Sequence, residues 1–199
     1  MFRSMLRSRK LFAIGGIAAS LILVGFGAAS MVIGYQGRAE VRDTLRQEQI
    51  VGPADSTIPG QLVDTGAKAQ AQAEIMRHHQ LTSSQGLTYS QMGKYKTPDG
   101  NPKGTNDANA AALDTNGNPI SNPVRDSWVT ETALTTALNT ANFAEQVGDF
   151  AMVMGAALFL TGTGFAVLIW GTMLRPVTAP TKAPETAPAA VDMTKPVTA

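Results

Sequence analysis

Two long apolar stretches without charge constrain this chain more than any other feature. Residues 11–35 and 150–174 each hold 25 residues and contain no Asp, Glu, Lys, Arg or His. A helix rises about 1.5 Å per residue, so each stretch can cross a hydrocarbon core about 30 Å thick. The sequence therefore predicts an all-α membrane protein in which transmembrane helices over residues 11–35 and 150–174 pair as an antiparallel hairpin.

Basic residues before the first span predict its orientation. Residues 1–10 contain four basic side chains and no acid, and positive charge beside a span tends to stay in the cytoplasm. This places both termini in the cytoplasm of a plasma-membrane protein and residues 36–149 outside the cell membrane. The small residues at 27–30 could instead mark a signal-peptide cleavage point, which would leave a single span. We favour an uncleaved anchor because the apolar run continues through residue 33.

The polar segment between the spans predicts a small, mostly helical extracytoplasmic domain. Asp64 or Thr65 can cap a helix over residues 66–80, whose Ala, Gln, Glu and Met content favours helix. Residues 94–124 are dense in Pro, Gly, Asn and Asp, which predicts a flexible loop.

The second span is predicted to be the end of a longer helix. From about Asp126, with Asp126 or Ser127 as the cap, the sequence contains no Pro until after residue 174, which predicts one helix that starts outside the membrane. Residues 175–199 repeat Pro with Ala and Thr, a composition typical of a disordered tail.

The side chains between the spans offer no complete catalytic, cofactor or metal motif. His78 and His79 are the only histidines, and neighbours on a helix point about 100° apart, so the two cannot readily bind one metal ion. Glu145 and Asp149 lie one helical turn apart at the outer boundary, where we expect both carboxylates to remain hydrated. We therefore predict no catalytic, cofactor or metal residues, and no bound cofactor.

Small residues recur along the first apolar stretch, and along the second together with the residues before it, at spacings of three, four or seven. Such stripes let helix backbones approach closely, and close packing drives helix association in lipid. They predict that the spans pack together, although Gly and Ala are common in membrane helices, and one stripe could instead face another subunit. The predicted packing residues are Gly16, Ser20, Gly27, Ser30, Gly34, Ala141, Ala144, Gly148, Ala151, Gly155 and Gly162.

The order of these features resembles that of a family of small actinobacterial membrane proteins with two spans. The resemblance is carried by the basic start, the two spans, the variable tail and two short motifs, Gln72-Ala73-Glu74-Ile75 with His79 and Gly86-Leu87-Thr88-Tyr89. The name aromatic ring-opening dioxygenase is often attached to this family automatically. That name implies iron held by histidines and a carboxylate, which two adjacent histidines do not supply, so we interpret it as a misnomer.

The sequence favours a binding role over a chemical one. Its formal net charge is +1, which argues against a nucleic-acid partner, and it contains no cysteine. We expect a non-enzymatic accessory or scaffold subunit of an envelope complex, with the lipid bilayer and a membrane protein as partners. The alternatives are a self-assembling homo-oligomer and a metal-binding enzyme that uses His78 or His79 with Glu74.

Overall fold

Three α-helices make up most of the chain. The computed structural model describes residues 2–174, with side chains for residues 11–171. Helix α1 covers Phe2–Gln47, α2 covers Gly66–Ser83 and α3 covers Pro123–Leu174, and two short 3₁₀ helices cover Tyr89–Gln91 and Ala108–Ala110. The described residues contain isolated β-bridges and no β-strand. The predicted disordered tail, residues 175–199, lies outside the described residues.

Helices α1 and α3 are long and apolar enough to cross a membrane, by length and composition. They hold 46 and 52 residues. Large apolar side chains on both helices are exposed, among them Phe12, Phe26, Val153, Leu160 and Trp170. The prediction of an α-helical chain with two long apolar helices is confirmed.

Helix α2 packs mainly against α3, on the half of α3 that precedes its apolar residues 150–174. Its packing completes a small apolar core in which Val63 and Ala69 are fully buried and Leu45 of α1 meets Leu138 of α3. The Thr65 hydroxyl accepts a hydrogen bond from the Lys68 N–H and caps the helix, as one of the two predicted residues. This core ties all three helices together in the polar domain.

Helix α3 begins three residues earlier than the sequence predicted, so the expected caps Asp126 and Ser127 are wrong. Pro123 is the first helical residue, where its missing N–H costs nothing. The Asn122 side-chain oxygen accepts a hydrogen bond from the Val124 N–H at 3.2 Å, in the manner of a cap. The helix then continues through residue 148 into its apolar half without a break.

The predicted loop, residues 94–124, contains no α-helix before α3 begins at Pro123, but hydrogen bonds tie the segment to itself and to the start of α3. The side chain of Asn122 is buried, and its amide nitrogen donates to the carbonyl oxygens of Pro102 at 2.9 Å and Gly93 at 3.2 Å. Tyr95 forms bridges to both Thr105 and Ser121. The predicted flexibility of this segment stays a prediction, and Asn122 is the residue that fastens it.

Candidate functional site: the helix seam, the polar lock and the apolar groove

Glycines of α1 and α3 lie against each other's backbone. A Cβ atom at Gly27 would lie 2.6 Å from the carbonyl oxygen of Gly155, and one at Gly155 would lie 2.6 Å from that of Gly27. Seven residues along each helix, a Cβ at Gly34 would lie 2.6 Å from the carbonyl oxygen of Gly148. These distances leave no room for any side chain. We call the contact of Gly27 and Gly34 with Gly148 and Gly155 the glycine seam.

The seam continues along the apolar halves of both helices. A Cβ at Gly162 would lie 2.9 Å from the carbonyl oxygen of Ser20, which is itself buried, and one at Gly16 would lie 2.6 Å from the Cδ1 atom of Ile169. From one contact to the next, the residue numbers increase along α1 and decrease along α3. The two helices therefore run antiparallel.

The remaining predicted packing residues flank the seam. The structure places Ser30, Ala141, Ala144 and Ala151 in half-buried positions, beside the buried glycines. The glycines of the two stripes are thus brought together within one chain. An interface with a second subunit would have to use a different surface of these helices.

A group of charged side chains, which we call the polar lock, lies directly beyond the seam. It consists of Arg38 and Arg42 of α1, Glu145 and Asp149 of α3, and the N–H of Gly66 at the start of α2. The Glu145 Oε1 atom lies 3.1 Å from Arg38 Nε and 2.6 Å from Arg42 Nη2, and its Oε2 atom accepts a hydrogen bond from the Gly66 N–H. Arg38 Nη1 also lies 3.0 Å from Asp149 Oδ1.

Glu145 is buried, with 6% of its surface exposed, so the expectation that this carboxylate is hydrated is wrong. Burial alone raises the pKa of Glu145, but the Gly66 N–H and the guanidinium groups of Arg42 and Arg38 outweigh it and hold the pKa below its usual value. The positive end of the α2 dipole also faces this carboxylate. One ionised side chain therefore joins three helices.

An apolar groove of about 710 Å³ lies between α1 and α3 on the polar side of the seam, and Met76 of α2 and Ile50 also line it. Its floor contains Val41 and Leu45 of α1 with Leu138 and Ala141 of α3. Two carboxylates stand on one rim, Glu40 of α1 and Glu48 directly after the end of α1, whereas the α3 wall is lined by uncharged residues: Leu134, Ala137, Thr140 and Ala144. The groove is open and its charge lies on one side only.

The two histidines lie on the outer surface of α2, away from the polar lock. His79 Nε2 lies 2.6 Å from Asp55 Oδ2, and His78 is exposed. Glu74, the carboxylate proposed to act with them, accepts a hydrogen bond from Gln70. His79 also borders a second cavity of about 500 Å³ between α2 and α3, together with the buried Glu131. Among residues 11–171, no group of three His, Asp or Glu side chains is placed to hold a metal ion.

Sequence reasoning missed the partners of Glu145, which are Arg38, Arg42 and the Gly66 N–H. The signal was present in the stripes, because aligning Gly34 with Gly148 in opposite directions brings Arg38 next to Glu145. No family model, curated protein or solved structure matches the chain. The resemblance to the two-span actinobacterial family therefore stays a prediction.

Proposed function

We propose that this chain is a non-enzymatic integral membrane protein that serves as an accessory or scaffold subunit of a plasma-membrane complex. In this proposal α1 and α3 cross the bilayer as an antiparallel hairpin and hold the polar domain outside the cytoplasm. The observation that carries it is the glycine seam, in which two apolar helices meet backbone to backbone through their smallest residues.

The distribution of side-chain sizes supports a lipid environment for the hairpin. In water, the exposed Phe26, Val153 and Leu160 would cost about 25 cal/mol for each Å² of apolar surface left in contact with solvent. Lipid removes that cost and leaves close van der Waals packing as the force between helices, which small residues maximise. Large side chains outside and glycines inside are the arrangement expected of paired spans.

The charges support the orientation. Basic residues 1–10 precede the first span, and the polar lock lies just beyond the other end of both spans, with Arg38 three residues after Tyr35 and Glu145 five residues before Phe150. Both termini would then lie in the cytoplasm and the polar domain outside. Each of these arginines is paired with a carboxylate in the polar lock. Their positive charge therefore opposes the proposed orientation less than unpaired arginines would.

The polar domain supports a binding role. Helix α2 and the segment that follows are fastened to α3 by the polar lock and by Asn122, which makes the domain a fixed platform on the hairpin. An open apolar groove lies beside this platform. A subunit of this kind acts by holding a partner in position.

Topology tests this proposal directly, because a chain without cysteine accepts single reporter cysteines. Ser4→Cys, Thr115→Cys and Thr181→Cys place one thiol in the N-terminus, the outer domain and the tail. In intact cells, a membrane-impermeant maleimide should label only Thr115→Cys, and the other two should react after permeabilisation. Release of the protein by alkaline carbonate, or labelling of all three thiols in intact cells, would refute the proposal.

The self-assembling alternative needs an interface outside the glycine seam, since the seam is occupied within one chain. Mass determination of the intact assembly after gentle detergent extraction separates the two. A stoichiometric heteromeric partner supports the scaffold role, whereas a homo-oligomer of defined size supports self-assembly. Metal analysis of the same sample tests the third hypothesis, a metal-binding enzyme. Bound metal that is lost when His78 and His79 are both replaced would favour it.

A further inference from the structure

We infer that the apolar groove between α1 and α3 receives a helical segment of a partner protein that carries two basic residues seven or eight positions apart. This inference rests on the proposed scaffold function and specifies the chemistry of the partner. It follows from the shape of the groove, from the negative charges on its rim, and from the pairing of the neighbouring arginines with other carboxylates.

The rim charges define the spacing. Glu40 lies in α1 and Glu48 directly follows its last residue, Gln47, with Thr44 midway between them on the groove. Eight residues at about 1.5 Å each separate the two positions by about 12 Å along the helix axis. A helix laid along the groove with basic residues at i and i+7 or i+8 presents two cations at the same separation. Its apolar face would cover the floor at Val41 and Leu138.

Neither rim carboxylate has an ion-pair partner within residues 11–171. The nearest arginines are engaged elsewhere: Arg38 and Arg42 with Glu145, and Arg46 with Asp43 at 2.8 Å. The rim therefore offers two unpaired negative charges beside an apolar floor. A basic partner gains both ion pairs and apolar burial, whereas an acidic partner meets repulsion.

The α3 wall of the groove consists of small side chains, against which another helix can pack closely. Ala137, Thr140 and Ala144 line it at spacings of three and four, so the backbone of a bound helix can approach α3 closely. Val147, three residues beyond Ala144, and Phe143 are exposed and extend the apolar surface from this wall toward the span. A partner helix that leaves the membrane beside α3 would therefore contact apolar side chains until it reaches the groove.

Other occupants fit less well. A phospholipid would bring its phosphate to a rim that carries two carboxylates, and a single head group does not supply cations 12 Å apart. A second copy of this chain would present α1 arginines that already engage acids. Residues 175–199 follow Leu174, about 45 Å along α3 from Ala144 and across the bilayer in the proposed topology.

Disulfide trapping in nanodiscs of zwitterionic lipid tests the inference. The probe is an 18-residue amphipathic helix with leucines and one cysteine, activated as its 2-pyridyl disulfide, on its apolar face and two lysines eight positions apart. Attack by a protein thiolate forms the mixed disulfide and releases pyridine-2-thione. The matched control carries glutamates in place of the lysines. The receiving thiol is Thr140→Cys in the groove wall. The adjacent Asn139→Cys, exposed outside the groove at nearly the same height, reports adsorption of the peptide to the bilayer.

We expect the lysine peptide to react with Thr140→Cys about fivefold faster than the glutamate peptide, and to show no such preference at Asn139→Cys. Replacing both rim carboxylates, Glu40→Lys with Glu48→Lys, should reverse the preference. Glu74→Lys on the exposed face of α2 should leave it unchanged. Both rim side chains are exposed, so we expect the double variant to fold, and its helical melting transition checks this.

Equal rates for the two peptides at Thr140→Cys, or a preference that survives the double charge reversal, would overturn the inference. So would native mass spectra in which the wild-type protein retains a phospholipid that Ala141→Phe loses, because lipid would then be the occupant. Failure of the proposed function has a different signature, since alkaline carbonate would then extract the chain. A chain that stays inserted but shows no peptide preference refutes only the groove inference.

Discussion

Arg42 and Glu145 are 103 residues apart in the sequence, yet the Nη2 atom of one lies 2.6 Å from the Oε1 atom of the other. The same carboxylate accepts the N–H of Gly66, the first residue of α2. Since Arg42 belongs to α1 and Glu145 to α3, this single contact closes a loop that contains the whole polar domain. We therefore expect the position of α2 against α1 and α3 to depend on the charge of Glu145.

Removing that charge should loosen the polar domain. Glu145→Gln keeps the shape of the side chain but leaves Arg38 and Arg42 without their shared anion. Breaking a buried ion pair costs about 3–5 kcal/mol. Because both arginines are about one-third exposed, we expect a loss of about 2 kcal/mol in the free energy of unfolding of the domain, measured by denaturant titration in detergent.

Asp149→Asn is the matched control for this substitution. Asp149 lies one turn away from Glu145 and pairs with Arg38 alone, and its side chain is 48% exposed. We expect a loss of about 0.5 kcal/mol, as for other exposed pairs. Equal losses in the two variants would show that Glu145 does not hold the three helices together.

The lowered pKa of Glu145 predicts that acid weakens the polar lock. A carboxyl group whose pKa is lower in the folded than in the unfolded state stabilises the fold fully above the unfolded value, about 4.3 for Glu, and loses that contribution as the pH falls through the folded value. The difference in unfolding free energy between the wild type and Glu145→Gln should therefore be constant from pH 7 to about pH 5 and shrink below. A difference that persists at pH 2 would contradict this prediction.

Leucine at a seam glycine should force the two long helices apart. At Gly155 the new side chain would meet the backbone of Gly27, and overpacking of this kind costs about 1–3 kcal/mol. At Gly164, on the same helix, a Cβ atom meets nothing within 4 Å, so Gly164→Leu should be neutral. Resistance to unfolding by sodium dodecyl sulfate measures both variants.

The same pair of variants separates hairpin packing from self-assembly. If the seam joins two helices of one chain, Gly155→Leu should lower resistance to the detergent without changing the size of the extracted assembly. A change in oligomer size with unchanged resistance would place the seam between subunits instead.

Asn122 should control the order of the segment before α3. Its side chain accepts from the Val124 N–H and donates to the carbonyl oxygens of Pro102 and Gly93, so Asn122→Ala removes a cap and two loop ties together. We expect a loss of about 1–2 kcal/mol and faster proteolytic cleavage within residues 94–124. Asn109→Ala, at an exposed position of the same segment, should change neither quantity.

The long helices could be predicted from the sequence because their signals are local. An uncharged run of 25 residues needs no partner to be recognised, and the α2 cap at Thr65 follows from its own neighbours. The start of α3 was misplaced because Pro123 ends a run of turn-forming residues, although Pro is well suited to the first position of a helix.

The polar lock depends on how α1 and α3 are aligned against each other, and the sequence indicates this alignment only indirectly. Glu145 looked like an interfacial carboxylate because its neighbours in sequence are polar or small, and its burial comes from Arg38, Arg42 and Gly66 on other elements. The apolar groove likewise exists only where α1 and α3 lie side by side. Features of this kind require the relative positions of elements that are about 100 residues apart.

The continuity of α3 has a mechanical consequence. Its 52 residues form one rod about 78 Å long, which packs against α1 from Gly148 through Gly162. In the proposed topology, a load on the outer half, near Trp128, would tilt this rod together with α1 and displace its inner end, near Trp170. If the helices cross the bilayer as proposed, a partner that pulls on the polar domain would then change the inclination of α3 on the far side of the membrane.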